Sequence, residues 1–130
     1  MKELFIPYEL ALLAKLKGFD KKCFGFFKHE NNQLRVESTN DSIARAYVIA
    51  PIYQQITDWF RDIHGIHVNA DLLPNVKKYR ATFVPLSFTP KSFTSHKEYY
   101  KEREKFSTIN KFDDYYEALN EAIKEAFKLI

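Results

Sequence analysis

The chain has 130 residues, 45% of them hydrophobic, and carries a formal net charge of +3 at pH 7. A chain of this length and composition predicts a single domain, residues 1–130, with a hydrophobic core of its own. Cys23 is the only cysteine, which excludes an intramolecular disulfide and is typical of a reducing cytoplasm. Charged residues and a proline interrupt the first ten residues, and no stretch approaches a membrane span. We therefore expect neither a signal peptide nor insertion into a membrane.

The first elements predicted along the chain are a helix and a hairpin. Apolar residues at helical spacing predict a helix over residues 7–17, which Gly18 can end. Residues 4–6, just before it, have the composition of a short strand. Two further runs, Cys23–Phe27 and Gln33–Ser38, flank a polar turn that contains two asparagines, and together they predict a β-hairpin.

The clearest element is a helix that begins at Pro51, since proline suits the first turn of a helix. Gly65 follows it as a residue able to adopt a positive φ. The apolar positions of this helix recur at helical period: Ile52, Ile56, Trp59, Phe60 and Ile63. The tryptophan lies in the middle of the stripe, so we expect it at the centre of the core. The sequence predicts a loop at residues 39–42 and a short strand, or an extended lead-in to the helix, at residues 43–50.

Alternating residues in the second half predict strands at 66–69 and 78–86, with a turn at Pro74 between them. Pro85 should end the second strand or place it at a sheet edge. We expect Asp113 to cap a final helix, whose apolar stripe consists of Tyr115, Leu119, Ala122, Ile123, Ala126, Phe127 and Ile130. The order α-β-β-α-β-β-α predicts an α+β domain with an antiparallel sheet and helices on one face.

Two motifs, APIYQQITDWFRDIHGI at residues 50–66 and DYYEALNEAIKEAFKLI at residues 114–130, carry a family resemblance. A third, weaker motif is the opening helix with Tyr8-Glu9-Leu10-Ala11. Together they resemble small uncharacterised proteins of Bacteroidetes phages and prophages, over about half of the chain. The resemblance implies a bacterial or phage-infected cytoplasm and an accessory role, and it implies no particular chemistry.

Residues with catalytic or metal-binding potential are few and scattered. His64 and His67 straddle Gly65, but no further ligand pattern accompanies them, so we expect no metal site and no cofactor. Cys23 lies in an apolar run, which favours a buried structural cysteine over a nucleophile. Asp58 and Asp62 lie one helical turn apart, on what we expect to be an exposed face.

Residues 89–111 carry the only functional signal that rises above the background. The segment holds six basic and three acidic residues, with aromatic residues between them, and basic residues beside stackable rings suit single-stranded nucleic acid. In the alternative interpretation, a capping box from Ser95 to Glu98 starts a short helix with charges of both signs. Its aromatic residues would then pack partly on the sheet, and the segment would be structural or a protein contact. The candidate binding residues are Lys91, Lys97, Tyr99, Tyr100, Lys101, Arg103 and Lys105.

These observations favour a non-enzymatic accessory protein of a phage or prophage, located in the cytoplasm of a bacterial host, that binds a host or phage macromolecule. We expect the partner to be a protein or a second copy of the chain, with no membrane involved. The first alternative is a small nucleic-acid-binding protein that uses residues 89–111. The second is an enzyme with a site assembled from scattered polar residues, namely Asp58, Asp62, His64 and His67.

Overall fold

A computed structural model describes residues 2–28, 31–88 and 95–130, except for the side chains of His96 and Ile109. Helices and antiparallel strands follow one another along the chain, so the predicted α+β class is confirmed. The described strands form two three-stranded sheets. By their internal contacts the residues divide into two compact units, 1–58 and 59–130. That residues 1–130 form one domain stays a prediction.

The first unit begins with a 3₁₀ turn, Lys2–Leu4, and helix α1, Tyr8–Leu16. Pro7 precedes α1 in extended conformation, and Gly18 follows it with a φ of +92°. The predicted first helix is thus confirmed to within one residue at each end. The short strand expected just before it is reduced to an isolated bridge between Phe5 and Ile52.

The predicted hairpin is confirmed as strands β1, Gly25–Phe27, and β2, Leu34–Val36, which pair antiparallel. A third strand, β3, Val48–Ile49, pairs with the other side of β1 and completes a sheet of order β2-β1-β3. Gly25 is required in β1, because a Cβ there would lie 2.9 Å from a ring carbon of Phe5 and 3.1 Å from the carbonyl oxygen of Arg35.

Helix α2, Asp41–Ala46, contradicts two predictions: it replaces the second half of the loop expected at 39–42 and the first half of the strand or lead-in expected at 43–50. Asn40 starts this helix by accepting a hydrogen bond from the backbone N–H of Ile43 at 2.9 Å. Within α2, alanine and arginine favour a helix, and only Val48–Ile49 offers consecutive β-branched residues. The cap and the local propensities therefore outweigh the apolar run.

Helix α3, Tyr53–His64, confirms the clearest predicted element, but it begins two residues after Pro51; it contains the boundary between the two units. Ile56, Trp59 and Phe60 are buried as expected. The prediction is wrong for Ile63, which is 59% exposed. Apolar spacing identifies the apolar face of a helix but not how far along it the neighbouring elements extend. Gly65 ends α3 with a φ of +64°, as predicted.

The second unit is built on strands β4, Ile66–Leu73, and β5, Lys78–Pro85, which pair along their whole length. Lys77, in the turn between them, has a φ of +52°. A strand that was not predicted, β6, Ser107–Phe112, pairs with the far side of β5, so β5 is central in the order β4-β5-β6. Pro85 therefore ends β5 and does not mark an edge strand.

Helix α5, Tyr115–Phe127, packs against all three strands of this sheet. Its N-cap is Asp114, whose carboxylate accepts the backbone N–H of Glu117 at 3.0 Å. The prediction of Asp113 is wrong by one residue, and Asp113 instead pairs with Lys78 at 3.0 Å. Most of the predicted stripe is buried, whereas Tyr115 is 37% exposed and Ile130 is half-buried. The buried residues of α5 are Ala118, Leu119, Ala122, Ile123, Ala126 and Phe127.

Candidate functional site

The described part of the basic aromatic segment is regular structure. Ser95 caps helix α4, His96–Arg103, by accepting the backbone N–H of Glu98 at 3.2 Å, so the predicted capping box starts a helix. A 3₁₀ turn, Glu104–Phe106, leads directly from α4 into β6. Lys91, one of the candidate binding residues, lies outside the described residues.

Contacts among four aromatic side chains hold α4 and the turn after it against their own unit. The ring of Tyr99 stacks on that of Phe88, with centroids 5.2 Å apart and an angle of 26° between the planes. Phe106 meets Phe88 edge-to-face at 5.3 Å and Phe83 of β5 at 6.5 Å. Tyr99 and Phe106 are both half-buried. Tyr99, a candidate binding residue, thus has a structural role, because one face of its ring is covered by Phe88.

Tyr100 has the opposite orientation. Its side chain is 60% exposed, and its ring meets that of Tyr99 edge-to-face with centroids 5.2 Å apart. Residues three and four positions away share a face of a helix. Lys97 and Arg103 therefore flank Tyr100, and Lys101 follows it in sequence. We call these four residues the Tyr100 surface.

The cations of the Tyr100 surface have no acidic partner among the described residues. Lys97 and Lys101 are exposed, Arg103 is half-buried, and none of the three makes a hydrogen bond or ion pair with a described side chain. Lys105 differs, because its ammonium group contacts the Glu102 carboxylate at 2.6 Å. Of the seven candidate residues, the structure places Lys97, Tyr100, Lys101 and Arg103 on α4 with exposed or half-buried side chains, and it engages Tyr99 with Phe88 and Lys105 with Glu102.

Acidic residues also lie near this surface. Glu98 and Glu104 are exposed, on the first turn of α4 and just after its end. They lower the net charge of the helix and of the surface around Tyr100. The surface is therefore a mixed one, with one large ring and three cations that are free to contact a ligand.

The two aspartates of α3 are engaged with their own helix. Asp58 is half-buried and accepts a hydrogen bond from the side-chain amide of Gln54 at 2.9 Å. Asp62 is exposed and pairs with the guanidinium of its neighbour Arg61 at 3.1 Å. Both carboxylates thus have local partners that explain their positions without a catalytic role.

The two histidines near Gly65 face different surroundings. The ring of His64 packs edge-on against Trp59, with centroids 4.4 Å apart, while His67 is exposed on β4. Among the residues that the structure describes, no three histidine, cysteine, aspartate or glutamate side chains are grouped so that they could hold a metal ion. Metal independence stays a prediction.

Cys23 is fully buried, as predicted from its apolar neighbours. Its backbone N–H donates to the Thr39 hydroxyl at 2.8 Å, and its thiol donates to the carbonyl oxygen of Lys21 at 3.3 Å. Burial raises the pKa of the Cys23 thiol to about 12, because a thiolate would lose its hydration there. The thiol is therefore protonated at neutral pH and is a poor nucleophile.

Fold and site together define an α+β protein that carries an aromatic and cationic surface on a short helix. Comparison of the chain with protein-family models, with curated proteins and with solved structures finds no match in any of the three. None of the helices in the described ranges is both long enough and apolar enough to cross a bilayer.

Proposed function

We propose that the protein is a non-enzymatic accessory protein of a phage or prophage, which acts in the bacterial cytoplasm by binding an acidic surface of another protein through the Tyr100 surface. The observation that carries this proposal is the pairing of a 60% exposed tyrosine with three cations that lack acidic partners among the described residues. The family resemblance of the α3 and α5 motifs supports the phage or prophage setting.

The arrangement of Tyr100 suits a protein contact. Tyrosine and arginine are enriched at protein interfaces and at the residues that dominate binding energy. The ring of Tyr100 leans on Tyr99, which is itself stacked on Phe88, so little side-chain entropy remains to be lost on binding. Unpaired cations around such an anchor favour a partner of complementary charge.

A different protein fits this surface better than a second copy of the chain does. In a two-fold symmetric dimer the same patch meets itself. Lys97, Lys101 and Arg103 would then face the same three cations of the partner, and the chain as a whole carries a net charge of +3. A different protein with an acidic surface would not meet this repulsion.

The non-enzymatic part of the proposal is supported by what the reactive side chains do. The Cys23 thiol is protonated and buried, and the carboxylates of Asp58 and Asp62 are held by neighbours on their own helix. These contacts account for the thiol and the two carboxylates without a catalytic role.

Photo-crosslinking at position 100 tests the proposal. Benzoylphenylalanine in place of Tyr100 should crosslink to a protein in lysate of a phage-bearing Bacteroidetes host, and the adduct should be identified by mass spectrometry. Reversing Lys97, Lys101 and Arg103 to Glu should abolish that adduct. The matched control reverses Lys124, an exposed cation of α5, and should leave the adduct intact.

Two outcomes would contradict the proposal. Adducts that are unaffected by the triple charge reversal would show non-specific capture, and adducts only with a second copy of the chain would identify self-association. An acidic protein that is captured by the wild-type surface and by the Lys124 control, and lost with the triple reversal, supports the proposal.

Single-stranded nucleic acid is the second candidate ligand, because free cations beside an exposed ring suit it. Such binding uses successive rings on which bases stack, and here Phe88 covers one face of Tyr99 while Tyr100 contacts it edge-on. Fluorescence anisotropy with a labelled oligonucleotide decides between the two. We expect a flat titration near physiological salt, and sub-micromolar, salt-dependent binding that disappears in Tyr100→Ala would put nucleic acid first.

A further inference from the structure

A second surface of the same unit contains charged residues that are not part of the Tyr100 surface. It is a concavity of about 350 Å³ beside strands β5 and β6. Its lining residues are Leu73, Arg80, Glu104, Ser107, Thr108 and Lys111. None of them was a candidate binding residue from the sequence.

Two cations lie directly opposite each other in this concavity. Arg80 of β5 is the cross-strand neighbour of Lys111 of β6, so their side chains project from the same face of the sheet. Neither side chain forms an ion pair with a described residue, and the Nε–H group of Arg80 is buried with no hydrogen-bond partner. Like charges opposed across a strand pair are unfavourable, and so is a buried donor that is left unpaired.

The remaining polar groups of the concavity do not satisfy these cations. The hydroxyls of Ser107 and Thr108 donate to the backbone carbonyls of Glu104 and Asn110, at 3.1 and 3.0 Å. Glu104 lines the same concavity, and its carboxylate forms no ion pair with Arg80 or Lys111. On the other side of Arg80 the cross-strand neighbour is Asp71, which is engaged by the side-chain amide of Asn69 at 2.8 Å.

We propose that this concavity binds the phosphate group of a phosphorylated ligand between Arg80 and Lys111. An arginine fork offers two parallel donors to a phosphate, and lysine adds a point charge, so the pair suits a dianion. The volume of about 350 Å³ falls within the range of small-molecule sites and leaves room for the group that carries the phosphate. Bound phosphate would relieve the repulsion between the two cations and would supply an acceptor to a reoriented Arg80 side chain.

Glu104 allows a test in which the direction of the change in phosphate affinity is predicted. Glu104 is a lining residue of the concavity, so its negative charge would repel a phosphate bound there. Removing that charge with Glu104→Gln should therefore tighten phosphate binding, whereas Arg80→Gln and Lys111→Gln should weaken it. A surface that merely collects ions by net charge would respond equally to any added or removed charge.

The experiment is a titration of the full chain with inorganic phosphate, followed by the NMR signal of the Arg80 Nε–H group and matched against chloride at equal ionic strength. We expect a saturable shift with phosphate only. Lys111→Gln should weaken the affinity about tenfold, the loss of one charge-assisted contact, and Glu104→Gln should strengthen it. Lys124→Gln on α5 is the control and should bind phosphate as the wild type does.

The two sources of phosphate are separated by a second pair of titrations, with adenosine monophosphate and with a phosphoserine peptide of neutral sequence. Tighter binding of the nucleotide identifies a small-molecule ligand, and tighter binding of the peptide identifies a modified protein. If Arg80→Gln fails to fold, the Lys111 and Glu104 variants carry the test. The proposal is overturned if phosphate and chloride act alike, or if Lys111→Gln and Glu104→Gln both leave phosphate affinity unchanged.

Discussion

Tyr99 stacks on Phe88 with ring centroids 5.2 Å apart, and this contact turns the next residue, Tyr100, outward. The two adjacent tyrosines should therefore respond differently to truncation. Tyr99→Ala should destabilise the protein by about 0.5–1.5 kcal/mol through loss of the ring pairing with Phe88, in addition to the free energy lost by exposing apolar surface. Tyr100→Ala should cost about 0.5 kcal/mol or less, as is usual for an exposed side chain.

Chemical denaturation of the two variants beside the wild type measures both effects. Equal losses of stability in Tyr99→Ala and Tyr100→Ala would show that α4 does not hold the two rings as described. Circular dichroism should find the helix content of Tyr100→Ala unchanged.

Trp59 lies at the centre of the aromatic packing in its unit, 5% exposed and in ring contact with Phe60, His64 and Phe127. Trp59→Ala should cost about 3–5 kcal/mol, the usual loss for a large buried aromatic residue. Ile63, on the same helix and 59% exposed, provides the control, and Ile63→Ala should stay within about 0.5 kcal/mol of wild type. A thermal melt that is the same for both variants would contradict the assigned core.

The start of α5 offers a matched pair of neighbouring aspartates. Asp114→Ala removes the side chain that accepts the N–H of Glu117 and should cost about 0.5–2 kcal/mol. Asp113→Ala removes only the ion pair with Lys78. Because the Asp113 side chain is 85% exposed, this change should cost about 0–1 kcal/mol. Urea unfolding would reject the cap assignment if Asp113→Ala were the more damaging change.

The buried thiol of Cys23 makes stability depend on pH in a defined direction. Its folded-state pKa is raised from the ordinary value of 9.0 to about 12, so the native state holds the proton more tightly than the unfolded chain does. The resulting contribution to stability is complete below pH 9.0 and is lost as pH rises from there toward 12. Urea unfolding of wild type and Cys23→Ala across this range isolates the thiol from other titrating groups.

We expect the stability difference between wild type and Cys23→Ala to shrink as pH rises above 9.0. Native protein should also resist alkylation by iodoacetamide at mildly alkaline pH and react once it is unfolded. Rapid alkylation of the native protein would contradict the burial of the thiol.

Sequence reasoning succeeded where a local pattern decides the structure. The spacing of Ile56, Trp59 and Phe60 identified α3, and the glycine after it identified where that helix ends. It failed for β6, because the apolar residues of Ser107–Phe112 are three positions apart and lack the two-residue alternation that marks a strand. The α+β class did not depend on this strand.

The candidate site was predictable from the sequence only in part, because it depends on contacts between residues that are distant in the chain. Sequence placed Tyr99 and Tyr100 together in a basic segment, but adjacent helix positions point in different directions, and Phe88 decides which ring is covered. Arg80 and Lys111 are far apart in the chain, and only the pairing of β5 with β6 makes them neighbours. No local signal could have found that pair.

The most direct test of the central claim is the equilibrium affinity between the purified chain and the protein captured at position 100, measured for wild type, Tyr100→Ala and Lys124→Glu. If the Tyr100 surface is the contact, Tyr100→Ala should weaken binding by about 30-fold, which corresponds to the loss of about 2 kcal/mol at a dominant interface residue. Lys124→Glu should bind as the wild type does, and affinity should fall with added salt. An affinity for Tyr100→Ala that equals that of the wild type would contradict the account.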